Sequence, residues 1–141
     1  MYLKSSEMAT AIVEYLGGLR TKSTHVKSGT EIFTDAPVDN NGKGEAFSPT
    51  DLLATAYVSC MLTIVGIYCE KNAIAFDGAL SEVSKIMGSG PRRIERLEIV
   101  LDFTANSWNE DTKKLIMIAA ESCPVALSVS DDMEIDLQYK F

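Results

Sequence analysis

Residues Phe47 to Asn72 read Phe-Ser-Pro-Thr-Asp-Leu-Leu-Ala-Thr-Ala-Tyr-Val-Ser-Cys-Met-Leu-Thr-Ile-Val-Gly-Ile-Tyr-Cys-Glu-Lys-Asn, and the fold turns on what this stretch does. Its opening is a helix start. Ser48 suits the N-cap, Pro49 the first helical position, and Asp51 the first turn, where the helix dipole favours an anion. From Leu52 through Cys69 there is no formal charge, and Thr55, Ser59 and Thr63 are the only aliphatic hydroxyls. No side of such a helix is prepared for water, so the expectation is a central helix wrapped on all sides. The run also meets the minimum length of a membrane span. It is diluted with Ala, Gly and hydroxyl residues, flanked by acidic Asp51 and Glu70, and surrounded by alternating strand-like segments, which favours a core helix and no membrane partner. Cys60 stands in its middle, a nucleophile type where packing alone would accept Ala or Val.

The chain of 141 residues is long enough for one domain with a real core, and the reading is a single domain over 1–141. A net charge of −7 argues against nucleic acid or an anionic membrane as a partner, since both need a basic surface. Arg92, Arg93 and Arg96 are the one basic cluster, and two glutamates lie beside them. Residues 1–7 read as a poorly ordered polar leader with Met8 as a start of order. No signal peptide is read, because Met1 to Ala11 lacks a basic region followed by an apolar core and a cleavage site. The expected location is the cytoplasm. Three cysteines and one histidine, His25, are too few and too scattered for a disulfide framework or a zinc site, so no metal or cofactor is expected.

Outward from the central helix, Ala9 to Leu16 alternates as a strand, Gly17-Gly18 marks a hairpin turn, and Leu19 to Lys27 is a second strand with Arg20 just after the turn. Glu31 to Thr34 makes a third. Asp35 to Phe47 is dense in turn formers and reads as a long loop entering the helix. Beyond the helix, Ala79 to Met87 and Arg92 to Thr104 form a hairpin through Gly88-Ser-Gly-Pro91. Asn109 or Ser107 caps a second helix, Glu110 to Glu121, with Leu115, Ile118 and Ala119 as its apolar stripe. Met133 to Phe141 closes the chain as a half-exposed strand. This order implies an α+β fold with antiparallel sheets around a buried helix.

The cysteines carry the candidate chemistry. Pro124 suits a first helical position, so Pro124 to Val129 reads as a new helical turn with Cys123 at its N-cap, where free amides and the dipole lower a thiol pKa. Cys60 and Cys69 lie on opposite faces of one helix, roughly 13 Å apart along the axis, and cannot bridge. The bland alternative is that free cysteines act as small buried hydrophobes, which fits Cys69 best.

Ser48-Pro49-Thr50-Asp51-Leu52-Leu53 with Cys60, and then Glu121-Ser122-Cys123-Pro124-Val125, resemble the two cysteine motifs of the OsmC/Ohr family, the osmotically inducible and organic hydroperoxide resistance proteins. Gly17-Gly18-Leu19-Arg20 falls where that family carries an arginine. The resemblance implies the OsmC-like fold, an intertwined homodimer, and a thiol peroxidase that reduces organic hydroperoxides and is recycled by an external dithiol reductant. It assigns Cys60 to attack the peroxide, Cys123 to resolve the sulfenic acid as a disulfide, and Arg20 to hold the thiolate. One departure stands out. Hydroperoxide-resistance members open the helix with Asn-Pro-Glu, whose glutamate pairs with the arginine, and Thr50 occupies that place here. Asp51 and Glu45 are the candidates to replace it, Asp51 about half a turn round the helix from Cys60 and Glu45 in the loop. Two other readings stay open: a dimer binding a small apolar ligand in a cysteine-lined pocket, and a structural module with inert core cysteines.

Overall fold

The computed structural model describes residues 8–141, and the leader read over residues 1–7 lies outside them. The chain clusters into two compact units that divide at Leu52/Leu53.

The first unit is a meander. β1 (Ala11–Gly17), β2 (Arg20–His25) and β3 (Glu31–Asp35) form an antiparallel sheet in the order β1-β2-β3. The β1–β2 turn is made by Gly18 and Leu19, at φ 60° and 62°, between the paired residues Gly17 and Arg20. Two consecutive left-handed residues are what a tight hairpin with native twist demands; Gly18 takes that conformation without steric cost, and Leu19 is held in it by the turn. The turn places Arg20 at the head of β2, directly opposite Asp35 at the end of β3. The expected loop follows, folded on itself around a 3₁₀ turn at Val38–Asn40. A side chain at Gly42 would put its Cβ 1.7 Å from the Ala36 carbonyl oxygen, so the loop closes only over glycine there.

α1 (Pro49–Lys71) begins as read, but its cap is fuller than expected. Ser48 Oγ accepts from the Asp51 N–H at 3.1 Å, and Asp51 Oδ2 accepts from the Ser48 N–H at 2.9 Å. That reciprocal pair is a capping box with aspartate in the glutamate position.

The second unit holds the rest of α1, β4 (Leu80–Gly88), β5 (Arg93–Asp102), α2 (Glu110–Glu121) and β6 (Glu134–Lys140). β4 and β5 form the expected antiparallel hairpin, whereas β6 pairs with β5 in parallel. The reading of purely antiparallel sheets is therefore corrected to one antiparallel and one mixed sheet. The physical reason is α2: a helix between neighbouring strands supplies the crossover that returns the chain in the same direction. Asn109 is the cap of α2, its Oδ1 accepting from the Thr112 N–H at 2.8 Å. Its buried face is Ile116, Ala119 and Ala120, while Leu115 and Ile118 are exposed. The expected stripe of Leu115, Ile118 and Ala119 is thus displaced round the helix and shares only Ala119 with the observed one.

The core joins Leu97, Ile99, Leu101 and Phe103 of the central strand and its end to Ala54, Tyr57, Val58, Met61, Val65 and Cys69 of α1. The α1 residues recur at three- and four-residue intervals and form one stripe. Within the chain, then, α1 is covered along one side; Leu53 and Ile67 on its other sides are exposed. It is also a helix long and apolar enough to cross a membrane. Phe76, Phe103, Trp108, Tyr139 and Phe141 form a ring cluster at one end, with Phe103 centroids 5.4 Å from Trp108 and 5.8 Å from Phe141.

Candidate active site

Cys60 lies three residues after buried Tyr57 on α1, packed against the core but partly open to solvent. Cys123 follows α2 and is wholly buried. The two thiols are neighbours: the Cys60 side chain is among the groups that raise the Cys123 thiol. Cys123 Sγ accepts from the Ala126 N–H at 3.4 Å, but the helical turn expected to start at Pro124 is a short 3₁₀ segment, Ala126–Ser128, and its N-cap is Val125 rather than Cys123. The expectation of a lowered thiol pKa is corrected. Burial pushes the Cys123 thiol up, the neighbouring Cys60 sulfur adds to this, and the amides of Ala126 and Val125 oppose it without winning. A few polarised N–H groups do not repay the removal of a thiolate from water. The Cys123 thiol beside Cys60 is thus raised rather than lowered.

Two groups frame this pair. Burial pushes the Tyr57 phenol up, with Cys123 and Glu121 adding to it. Glu121 accepts from the Tyr139 hydroxyl at 3.1 Å, and the Tyr139 phenol is raised as well, by burial first and then by that carboxylate. Cys69 is apart, at the far end of α1 and 1 % exposed, its thiol raised by burial. Among the described residues no cluster of three or more His, Cys, Asp or Glu is arranged to hold a metal. His25 sits at the exposed end of β2, its Nδ1 2.6 Å from the Ser28 hydroxyl.

Arg20 belongs to the first unit, and its partners there are specific. Nε and Nη2 donate to Asp35 Oδ1 and Oδ2 at 2.8 and 2.9 Å, a bidentate pair. Nη2 also reaches Glu45 Oε2 at 3.4 Å. The Asp35 side chain is 1 % exposed, against 66 % for Glu45. Arg20 holds the Asp35 carboxyl below the usual carboxylate range, and Asp35 in turn raises the Arg20 pKa. For a carboxylate with a lowered folded pKa, the stabilisation is fully present above its unfolded value of about 4 and is lost as pH falls through the folded value. The Phe33 ring lies 5.8 Å from the guanidinium carbon.

The family model described as OsmC-like protein matches residues 42–138. The chain belongs to the OsmC-like protein family. A crystal structure from Psychrobacter arcticus 273-4, provisionally described as an osmotic stress induced and detoxification response protein, is 45 % identical, covers 97 % of this chain and 99 % of its own, and superposes with a TM-score of 0.89. The organic hydroperoxide resistance protein OsmC of Legionella pneumophila shares the fold at 17 % identity and TM-score 0.71, with 96 % of this chain and 100 % of that one covered. OhrB of Bacillus subtilis, an organic hydroperoxide resistance protein, does so at 19 % identity and TM-score 0.64, covering 94 % and 98 %. No curated protein matches the chain significantly.

Set against the OsmC-like motifs, Arg20 has two carboxylate partners, the candidate Glu45 and, more closely, Asp35, which was not among the candidates. Asp51 serves the capping box, Glu45 is a longer and exposed contact of Arg20, and the bidentate partner is Asp35. The available signal was strand register: a four-residue turn, 26–29, between His25 and Thr30 puts residue 20 opposite residue 35.

Proposed function

We propose that this OsmC-like protein is a thiol peroxidase that reduces organic hydroperoxides through Cys60 and Cys123. The observation that carries the reading is that Cys60 lies close enough to Cys123 to raise its thiol, while the third cysteine is buried at the far end of α1. In the first step the Cys60 thiolate attacks the terminal oxygen of the hydroperoxide. The O–O bond breaks, Cys60 becomes a sulfenic acid, and the alkoxide leaves as an alcohol after taking a proton. In the second step the Cys123 sulfur attacks the Cys60 sulfur. An S–S bond forms, water departs, and further oxidation is forestalled. A dithiol reductant then opens the disulfide by exchange and leaves as its own disulfide. Arg20 is the cation assigned to the Cys60 thiolate, since its charge is permanent and its planar fork can hold a sulfur and an oxygen together. Apolar neighbours such as Tyr57 and Met61 favour an organic over a hydrogen peroxide. A thiol cycle of this kind suits the reducing cytoplasm. With a dithiol present, the reduced protein is expected to consume an alkyl hydroperoxide repeatedly and faster than hydrogen peroxide. Consumption no faster than in the protein-free blank, followed by absorbance or an electrode, would count against the enzyme.

The working unit in this reading is an intertwined homodimer. On β1, Ile12, Val13, Tyr15 and Leu16 are all between 45 % and 65 % exposed. Successive strand residues point to opposite faces, so both faces of β1 present apolar surface. A second apolar area, a groove of about 400 Å³, runs between α1 and α2 along Ile64, Ile67, Tyr68, Leu115 and Ile118. Surface of this kind is rarely left to water by a monomer, and a second copy covering it would also complete the wrapping of α1. Light scattering from low micromolar concentration upward is expected to give the dimer mass throughout. A compact, folded monomer at the low end would refute it.

A further inference from the structure

We propose that Asp35 is the positioning residue for Arg20: it clamps one edge of the guanidinium and leaves the Nη1 edge free for the anion of the reaction. This rests on the peroxidase reading above and deepens it. Asp35 lies opposite Arg20 in the β2–β3 register, is buried, and engages Nε and Nη2 with both oxygens at 2.8 and 2.9 Å. A bidentate pair fixes the plane of the guanidinium as well as its position. Phe33 packs near the ring-like face, and Glu45 takes a longer share of Nη2. Nη1 has no acceptor among the described residues, so its two N–H groups are the ones open to a thiolate or a peroxide oxygen. Asp35 also holds the loop ahead of α1: Glu45 N–H donates to Asp35 Oδ2 at 3.2 Å, and Asp35 N–H donates to the Phe47 carbonyl at 3.1 Å. One buried carboxylate thus orders the arginine and the chain that leads into the cysteine helix. Such ordering before substrate arrives is what an electrostatic site requires, because a donor that must be oriented during the reaction contributes less.

The alternative role for Asp35 is simple neutralisation of Arg20, and the two roles predict opposite signs. Removing a neutralising charge would strengthen the field of Arg20 at Cys60 and speed thiol alkylation. Removing a clamp would let the guanidinium wander and slow it. The full-length reduced protein is treated with iodoacetamide across a pH series, with modification of Cys60 followed by peptide mass spectrometry. Arg20 Nε–Hε is followed in parallel by NMR. Asp35→Asn is expected to slow alkylation near neutral pH by roughly tenfold, the consequence of a one-unit rise in apparent thiol pKa, and to abolish the protection of the Arg20 Nε–Hε proton. Asp35→Glu, which keeps the charge, is expected to recover part of both. Lys22→Ala, which removes an exposed pairing with Glu31 at 4.0 Å, is expected to change neither. Faster or unaltered alkylation in Asp35→Asn overturns the clamp. If that variant does not fold, an unaltered rate in Asp35→Glu together with a wild-type Arg20 Nε–Hε proton that exchanges as fast as in free arginine overturns it instead. An unaltered rate in Arg20→Ala is a different failure, since it removes Arg20 from the peroxidase reading itself.

Discussion

Cys60→Ser is expected to abolish the rapid oxidation of the reduced protein by an organic hydroperoxide, bringing its thiol loss down to the blank. A serine hydroxyl stays protonated near neutral pH and offers no comparable nucleophile. Cys123→Ser has a different expected phenotype. Cys60 still reacts once, but its sulfenic acid has no neighbouring thiol to condense with, so it accumulates, labels with sulfenate probes, and climbs to sulfinic acid on repeated exposure. Cys69→Ser is expected to behave as wild type, because that sulfur is 1 % exposed and lies nine residues along α1 from Cys60, on the opposite side of the helix. Titration of free thiols in the three variants and the wild type checks the set. Inertness of all four would favour the ligand-binding or structural reading. Because burial raises the Cys123 thiol, disulfide closure in the wild type should quicken as pH rises, whereas a lowered Cys123 pKa would have made it flat across the neutral range.

Phe103→Ala is expected to have the largest effect on stability, a loss of about 3–5 kcal/mol. The side chain is completely buried and touches four other rings, with centroid separations of 6.1 Å to Phe76, 5.4 Å to Trp108, 6.4 Å to Tyr139 and 5.8 Å to Phe141. Truncation removes the transfer energy of the ring and leaves a cavity that a cluster of rigid neighbours cannot fill. Trp108, the one tryptophan of the chain, donates from Nε1 to the Ala75 carbonyl at 2.8 Å and so reports directly on this cluster. Denaturant unfolding followed by its fluorescence, at one fixed protein concentration because a dimer's stability depends on it, gives the value. A loss below about 1 kcal/mol would mean that the cluster relaxes around the gap. The consequence for the site is indirect: β5, which ends at this cluster, backs the stripe of α1 next to which Cys60 sits.

Much of this architecture was legible in the residues themselves. α2 could be bounded at Glu110 and Glu121 because Asn109 caps it and Ser122-Cys123-Pro124 stops it. The start of α1 was legible because Ser48-Pro49 can hardly be read otherwise. What escaped the sequence has physical reasons. Alternation along Met133 to Phe141 tells which residues face inward but says nothing of strand direction, so the parallel pairing of β6 with β5 was invisible. On α2, apolar residues occupy more than one face, and the pattern alone could not say that Ile116 and Ala120 are buried while Leu115 and Ile118 are not. Asp35 escaped because a partner fifteen residues away across a strand pair is a matter of register. The Cys123 motif was found, but the sign of its pKa shift depends on how completely the thiol is buried, which no local motif records.

The most direct test of the two-cysteine account is to map the disulfide in the wild-type protein after one equivalent of organic hydroperoxide. The account predicts a chain lighter by two hydrogen atoms, with two thiols lost and a single cross-linked peptide joining Cys60 to Cys123. A protein that stays reduced, or whose oxidation is carried by Cys69 or by bridges between chains while Cys60 and Cys123 keep their thiols, would contradict it.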